Sequence, residues 1–188
     1  PKTVGLRLGY DSIYKIIQEK DYDGVPKIKE LFYSPENDQY ILYEECIQGY
    51  TIESMLSKGT CFGKKFVIKM ATALCNILKP IHNDNLIHRD ISPNNVMYSQ
   101  IEDKFYLIDF GNSRLNKINT PKDTVFAGTP IFMAPEQGGV GTQSDNRTDI
   151  YAIGMLMKFM LTKNTTDKKS KIRGRLGKII KKCTQSEI

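Results

Sequence analysis

One stretch constrains this chain more than any other: His88-Arg89-Asp90-Ile91-Ser92-Pro93-Asn94-Asn95, followed by Asp109-Phe110-Gly111. Pro93 has no backbone N–H and a fixed φ, so no regular helix can run from Asp90 to Asn95. Its ring also pushes Ser92 toward extended geometry. The expected result is a stiff loop that presents Asp90 and Asn95 to one space. Phe105-Tyr106-Leu107-Ile108 is a short apolar run of the kind that forms a buried strand, and Asp109 ends it. Gly111 then lets the backbone turn sharply. Two carboxylates and an amide at strand and loop ends suit a hard cation, Mg²⁺ above all, shared with phosphate.

These residues resemble the catalytic loop H-R-D-x-x-x-x-N and the metal-binding triplet D-F-G of protein kinases. Gly128-Thr129-Pro130 and Ala134-Pro135-Glu136 resemble the close of a kinase activation segment. A single tripeptide arises by chance, but three motifs in order and at suitable spacing do not readily do so. The chain is therefore similar to the catalytic domain of eukaryotic-type (Hanks-type) serine/threonine protein kinases, from about residue 10 onward. The resemblance implies an α+β, protein-kinase-like fold, with an incomplete small lobe and a mainly helical large lobe. Residues 1–47 would be a remnant of the small lobe and the hinge, and residues 48–188 the large lobe.

Length and composition agree with this reading. At 188 residues one domain with a real core is expected. A hydrophobic content of 40% with 26% charged residues belongs to a globular chain, and not to a disordered one. The net charge of +6 fits a nucleotide-phosphate site, and a solvated lysine-rich surface explains it better than nucleic-acid binding. Cys46, Cys61, Cys75 and Cys183 form no C-x-x-C pair, which argues against a zinc site. They read as reduced thiols of a cytoplasmic protein, with Cys75 in the core. Tyr151 to Leu161 is the longest apolar stretch, and it is too short to span a bilayer. The first residue is Pro1, not Met, so an upstream segment removed from the chain stays open.

Along the chain, residues 12–20 put Ile13, Ile16 and Ile17 on one helical face. The resemblance makes this the αC helix, whose glutamate pairs with a strand lysine. Counting back from Val25-Pro26 gives Ile13 at that glutamate's place, and Glu19 falls almost two turns later. No G-x-G-x-x-G loop and no clear V-A-I-K strand precede the helix. Gly5 and Gly9 are spaced wrongly for the loop, and Lys2 is a weak candidate for the lysine. The first small-lobe strands are thus expected to be missing, through truncation or natural reduction. Tyr40-Ile41-Leu42-Tyr43 reads as a strand. By resemblance it enters the hinge, where Glu44 and Cys46 would meet the adenine edge and Tyr43 would gate the pocket behind it. Thr51 to Ser57 reads as a short helix and Lys65 to Ile81 as a long amphipathic one, ended by Pro80 and Asn83-Asp84-Asn85. His82 reads as structural, with no ligand partner. Met97 would floor the adenine site, or simply belong to the core.

Residues 109–136 would be the activation segment, with Ser113, Thr120, Thr124 and Thr129. Arg89 and Arg114 could hold a phosphate placed there, with Thr120 and Thr124 the candidate acceptors. Thr129 reads as a structural hydrogen-bonder. Asp149, at the start of an apolar helix, is either a cap or, as the resemblance implies, an acceptor for the H-R-D turn. The basic tail carries Leu176, Ile179 and Ile180 on one helical stripe. Its default is a solvated face, with an acidic partner or a membrane surface as the alternative. Arg173 and Arg175 are candidate partners for Glu136.

The implied activity is Mg-assisted transfer of phosphate from ATP to Ser/Thr hydroxyls of protein substrates. Asp90, Asn95 and Asp109 would be the catalytic residues. Asn95 and Asp109 would hold the metal and, with Glu44, Cys46 and Met97, the nucleotide. Ser92 stands where such kinases carry a lysine that contacts the transferred phosphate, which leaves the substrate class open. The competing reading is a pseudokinase or reduced kinase that serves as a binding scaffold.

Overall fold

The computed structural model describes residues 3–6, 11–116, 128–138, 143–163 and 172–185. Lys2, Gly9, Thr120 and Thr124 lie outside the described residues. The first sheet orders its strands β1-β3-β2, with β1 Thr3–Leu6, β2 Ile28–Ser34 and β3 Gln39–Glu44. All pairs are antiparallel, with Val4 opposite Leu42 and Leu31 opposite Leu42 on the other side. One short strand, β1, precedes the first helix among the described residues, and the small lobe has few strands, as expected. The Thr3-Val4-Gly5-Leu6 sequence of β1 is too short for a convincing periodic signal, and the strand is defined by its pairing with β3.

Helix α1 runs Asp11–Lys20. Ile13, Tyr14 and Ile17 are buried, while Glu19 is exposed. The spacing i, i+1, i+4 puts those three on one face. The chain then turns at Gly24, whose φ of +81° favours glycine. A Cβ there would come within 2.6 Å of the Ile77 side chain. The Gly24 carbonyl accepts from Leu107 N at 2.8 Å, so this turn is docked onto the larger part of the molecule. Tyr22 Oη and Lys20 Nζ donate to Asp84 at 2.7 and 2.9 Å, tying the same region to the end of the next long helix.

The larger part is built on two helices. After β4 (Tyr50–Thr51) and α2 (Ile52–Ser57, capped by the Thr51 hydroxyl), α3 spans Lys64–Asn83. It buries Val67, Met70, Leu74, Ile77, Leu78 and Ile81, spaced at three and four residues, the stripe a half-buried helix needs. Cys75 was expected in the core but is exposed. It follows Leu74 by one residue, a rotation of about 100° off the buried stripe. Pro80 does not end the helix as expected; it lies inside the last turn.

Short strands β5 (Leu86–Ile87), β6 (Val96–Ser99), β7 (Lys104–Leu107) and β8 (Arg114–Leu115) follow. They form the sheets β4-β6-β7 and β5-β8. Helix α4, Asn146–Thr162, buries Ala152, Ile153, Leu156, Met157 and Met160 against α3. Helix α5, Arg175–Cys183, buries Leu176 and Ile180 and packs on α4, while Ile179 is exposed. Each fully buried Leu or Ile contributes about 1.5–3 kcal/mol relative to exposure, so this helical layer holds the loops placed on it. Among the described residues no helix is long and apolar enough to cross a membrane.

Candidate active site

The loop between β5 and β6 is fixed from below by Asp149. That carboxylate is fully buried on the first turn of α4. It accepts from His88 N at 3.0 Å, from Arg89 N at 2.8 Å and from His82 Nε2 at 2.7 Å. The helix cap is Asp145, whose side chain closes a capping box with Thr148. Of the two roles open for Asp149, the geometry gives support of the H-R-D turn. His82 is structural, as expected, through its ring-nitrogen bond to Asp149.

Arg89 and Asp109 both have left-handed backbone, with φ of +68° and +63°. Side chains rarely take this conformation, and it clusters at functional sites where surrounding bonds hold it in place. At Arg89 the bonds are its own N–H to Asp149 and its carbonyl, which accepts from Gln137 Nε2 at 2.7 Å. At Asp109, Oδ1 accepts from Gly111 N at 3.0 Å. His88 is buried, its ring edge-on to Phe110, and its Nε2 lies 3.2 Å from the Ile108 carbonyl. Burial pushes its imidazole pKa below the ordinary value, against the opposing pull of Asp149 and Asp90. It is thus a neutral peg between the two loops.

Asp90 gathers donors from three segments. Thr129 donates both its N–H and its hydroxyl to Oδ1, each at 2.8 Å. Asn95 Nδ2 donates to Oδ2 at 3.0 Å and to the Asp90 carbonyl at 2.9 Å. Asn112 Nδ2 reaches Oδ2 at 3.1 Å. Thr129 is the hydrogen-bonder expected, aimed at Asp90. Gly128 has a φ of +119°, and a Cβ there would stand 2.7 Å from the Arg89 carbonyl, so only glycine brings Thr129 this close. Asn112 was not singled out from the sequence, because a lone Asn after Asp-Phe-Gly carries no spacing signal.

The structure thus brings Asp90 and Asn95 together, with Asp109 on the adjoining turn. Asn95 uses its amide hydrogens on Asp90, which leaves its carbonyl oxygen as an acceptor. Among the described residues no group of three His, Cys, Asp or Glu could hold a metal by itself. An amide oxygen and a carboxylate suit a hard cation that takes its remaining ligands from phosphate and water, the habit of Mg²⁺. The donor set therefore fits that ion. Glu44 ends β3 and Cys46 is exposed just beyond it. Met97 lies on β6 opposite Thr51, half-buried. Ser92 is fully buried, and its hydroxyl has no hydrogen-bond partner among the described residues. Ser113 is buried too, donating to the His88 carbonyl at 3.3 Å. Glu136 accepts from Thr148 Oγ1 at 2.8 Å.

A family profile described as "Protein kinase domain" matches residues 14–187. The chain belongs to the protein kinase family. It is 31% identical over 150 residues to serine/threonine-protein kinase B of Synechocystis, covering 75% of this chain and 25% of that protein. It is 27% identical over 169 residues to serine/threonine-protein kinase PknA of Nostoc, covering 80% of this chain and 29% of that one. With serine/threonine-protein kinase KIC1 of Saccharomyces cerevisiae it shares 34% over 133 residues, 70% of this chain and 12% of the relative. This kinase chain spans less than a third of the length of these three relatives.

Proposed function

We propose that the protein transfers the terminal phosphoryl group of ATP to Ser/Thr hydroxyls of protein substrates. The observation that carries this reading is the convergence on Asp90 of the catalytic loop, the turn after Asp109 and Thr129. Residues 1–47 would act as small lobe and hinge and residues 48–188 as large lobe. The adenine edge would meet the backbone near Glu44 and Cys46, above Met97. Asn95 and Asp109 would hold Mg²⁺, which when bound offsets the charge of the phosphates. Asp90 would orient the acceptor hydroxyl. As the new O–P bond forms and the bond to the departing ADP oxygen breaks, the hydroxyl proton would pass to Asp90. Phosphoryl transfer needs little more from a protein than this alignment and charge neutralisation.

The four free thiols suit a reducing cytoplasm, and there we place it. Lys178, Lys181 and Lys182 on α5 leave room for an acidic partner. A second reading, a scaffold of the same fold, is favoured by one observation: Ile13, at the place where kinases carry the αC glutamate, is buried among apolar side chains. Titration calorimetry on the full-length protein tests the metal roles, and transfer of label from ATP separates the two readings. We expect ATP affinity to drop about tenfold or more when EDTA replaces Mg²⁺, since the phosphates lose a charge-assisted anchor. Equal affinity in EDTA would remove the metal roles of Asn95 and Asp109.

A further inference from the structure

Asp90 meets four donors, two on each oxygen. An ionised carboxylate has about four lone-pair sites, so the group is filled. An acceptor hydroxyl that gives its proton to Asp90 must therefore take the place of one donor. Three of the four are held by further bonds or by backbone. Thr129 uses its main-chain N–H as well as its hydroxyl. Asn95 has a second bond to the Asp90 carbonyl, and its own N–H is bonded to Ser92 O at 3.1 Å. Asn112 is the fourth, with the longest contact, 3.1 Å, from a turn closed by Ser113 N to Phe110 O. Ser92 offers no substitute, since its hydroxyl is fully buried.

We propose that Asn112 is a positioning residue for phosphoryl transfer: its side-chain amide holds Asp90 Oδ2 in register and yields that oxygen to the acceptor hydroxyl. The inference rests on the reading of Asp90 as the proton acceptor. A neutral amide orients the carboxylate without tying it up as a cation would, because hydrogen bonds from charged donors are about twice as strong. Asn112 follows Asp109-Phe110-Gly111 directly, so it also makes the orientation of Asp90 depend on where that turn sits. No covalent role falls to it.

The test is a double-mutant cycle in the full-length protein. Asn112→Leu removes the donors at similar volume. Without the contact that orients Asp90 for the incoming hydroxyl, a loss of alignment worth about one net hydrogen bond should lower kcat for transfer to a Ser/Thr peptide about tenfold. KM for ATP should stay within about twofold, because ground-state nucleotide binding is not touched. Asn112→Gln, which keeps the amide, should retain more activity than Asn112→Leu. In an Asp90→Asn background Asn112→Leu should cause no further fall, since nothing remains to be positioned. Equal losses in both backgrounds, or full activity of Asn112→Leu in an otherwise unchanged enzyme, overturn the inference and leave the kinase reading intact. The hydrogen bond has its own readout: the ¹⁵N side-chain amide resonance of Asn112 should move on Asp90→Asn, and an unmoved resonance overturns the contact. If the unmutated protein transfers no phosphate, the kinase reading is what fails, and the role of Asn112 in transfer falls with it.

Discussion

Asp90→Asn should lower kcat about 10²–10⁴-fold, the usual worth of a positioned general base, with little change in ATP affinity or melting temperature. The substitution keeps size and shape but removes the charge and the proton-accepting oxygen. Its neighbours allow a clean experiment. Thr129 can still donate to the remaining amide oxygen, as both its bonds go to Oδ1. The amides of Asn95 and Asn112 then face an NH₂ group, and one can turn to water at a half-exposed site. Changing a fully buried carboxylate would be expected to cost stability, whereas Asp90 is only part-buried. Pre-steady-state transfer and a thermal melt, measured on the same samples, separate chemistry from stability. Loss of folding comparable to that of a core variant would make Asp90 a structural group.

Asp149→Asn should behave in the opposite way. Asp149 is fully buried and accepts from His82, His88 and Arg89. Replacing one carboxylate oxygen by NH₂ sets a donor against one of these donors. The cost is about 1–3 kcal/mol for a buried group left unsatisfied. For a chain of this size that corresponds to a fall of roughly 2–12 °C in melting temperature. Activity should fall with it, since the left-handed backbone at Arg89 is held from this carboxylate. A melt and a kinase assay check both. Unchanged stability would mean that the H-R-D turn is held elsewhere, by Gln137 on the Arg89 carbonyl for instance.

The two residues differ in how well the sequence announced them. Asp90 stands in a motif with fixed spacing to Asn95 and Asp109, so its place could be read directly. Asp149 stands in an unremarkable helix start, where capping competes with long-range support. Only the fold, which brings α4 under the loop after β5, decides between them. Asn112 had no local signal at all, because its partner lies 22 residues earlier in the chain. Helix α3 was legible from its stripe, yet Cys75 was misplaced, because an apolar residue one position off the stripe looks the same in composition. Strand β1 was missed for a related reason: four residues show no period, and a strand of that length is defined by its neighbour β3. Pro80 was taken as a stop, yet α3 continues through it to Asn83, at the loss of the N–H bond that would have reached the Asn76 carbonyl. Thus the chemistry was legible where it sits in contiguous motifs, and hidden where it depends on contacts between distant segments.

The measurement that bears most directly on phosphoryl transfer by this chain uses ATP labelled at the γ-phosphate. The full-length protein is incubated with Mg²⁺ and a mixed Ser/Thr/Tyr protein substrate, followed by phosphoamino-acid analysis. Label is expected on Ser or Thr, to be absent with EDTA, and to fall by about two to four orders of magnitude with Asp90→Asn. Bound ATP with no transfer to any hydroxyl, or transfer that Asp90→Asn leaves unchanged, would contradict it.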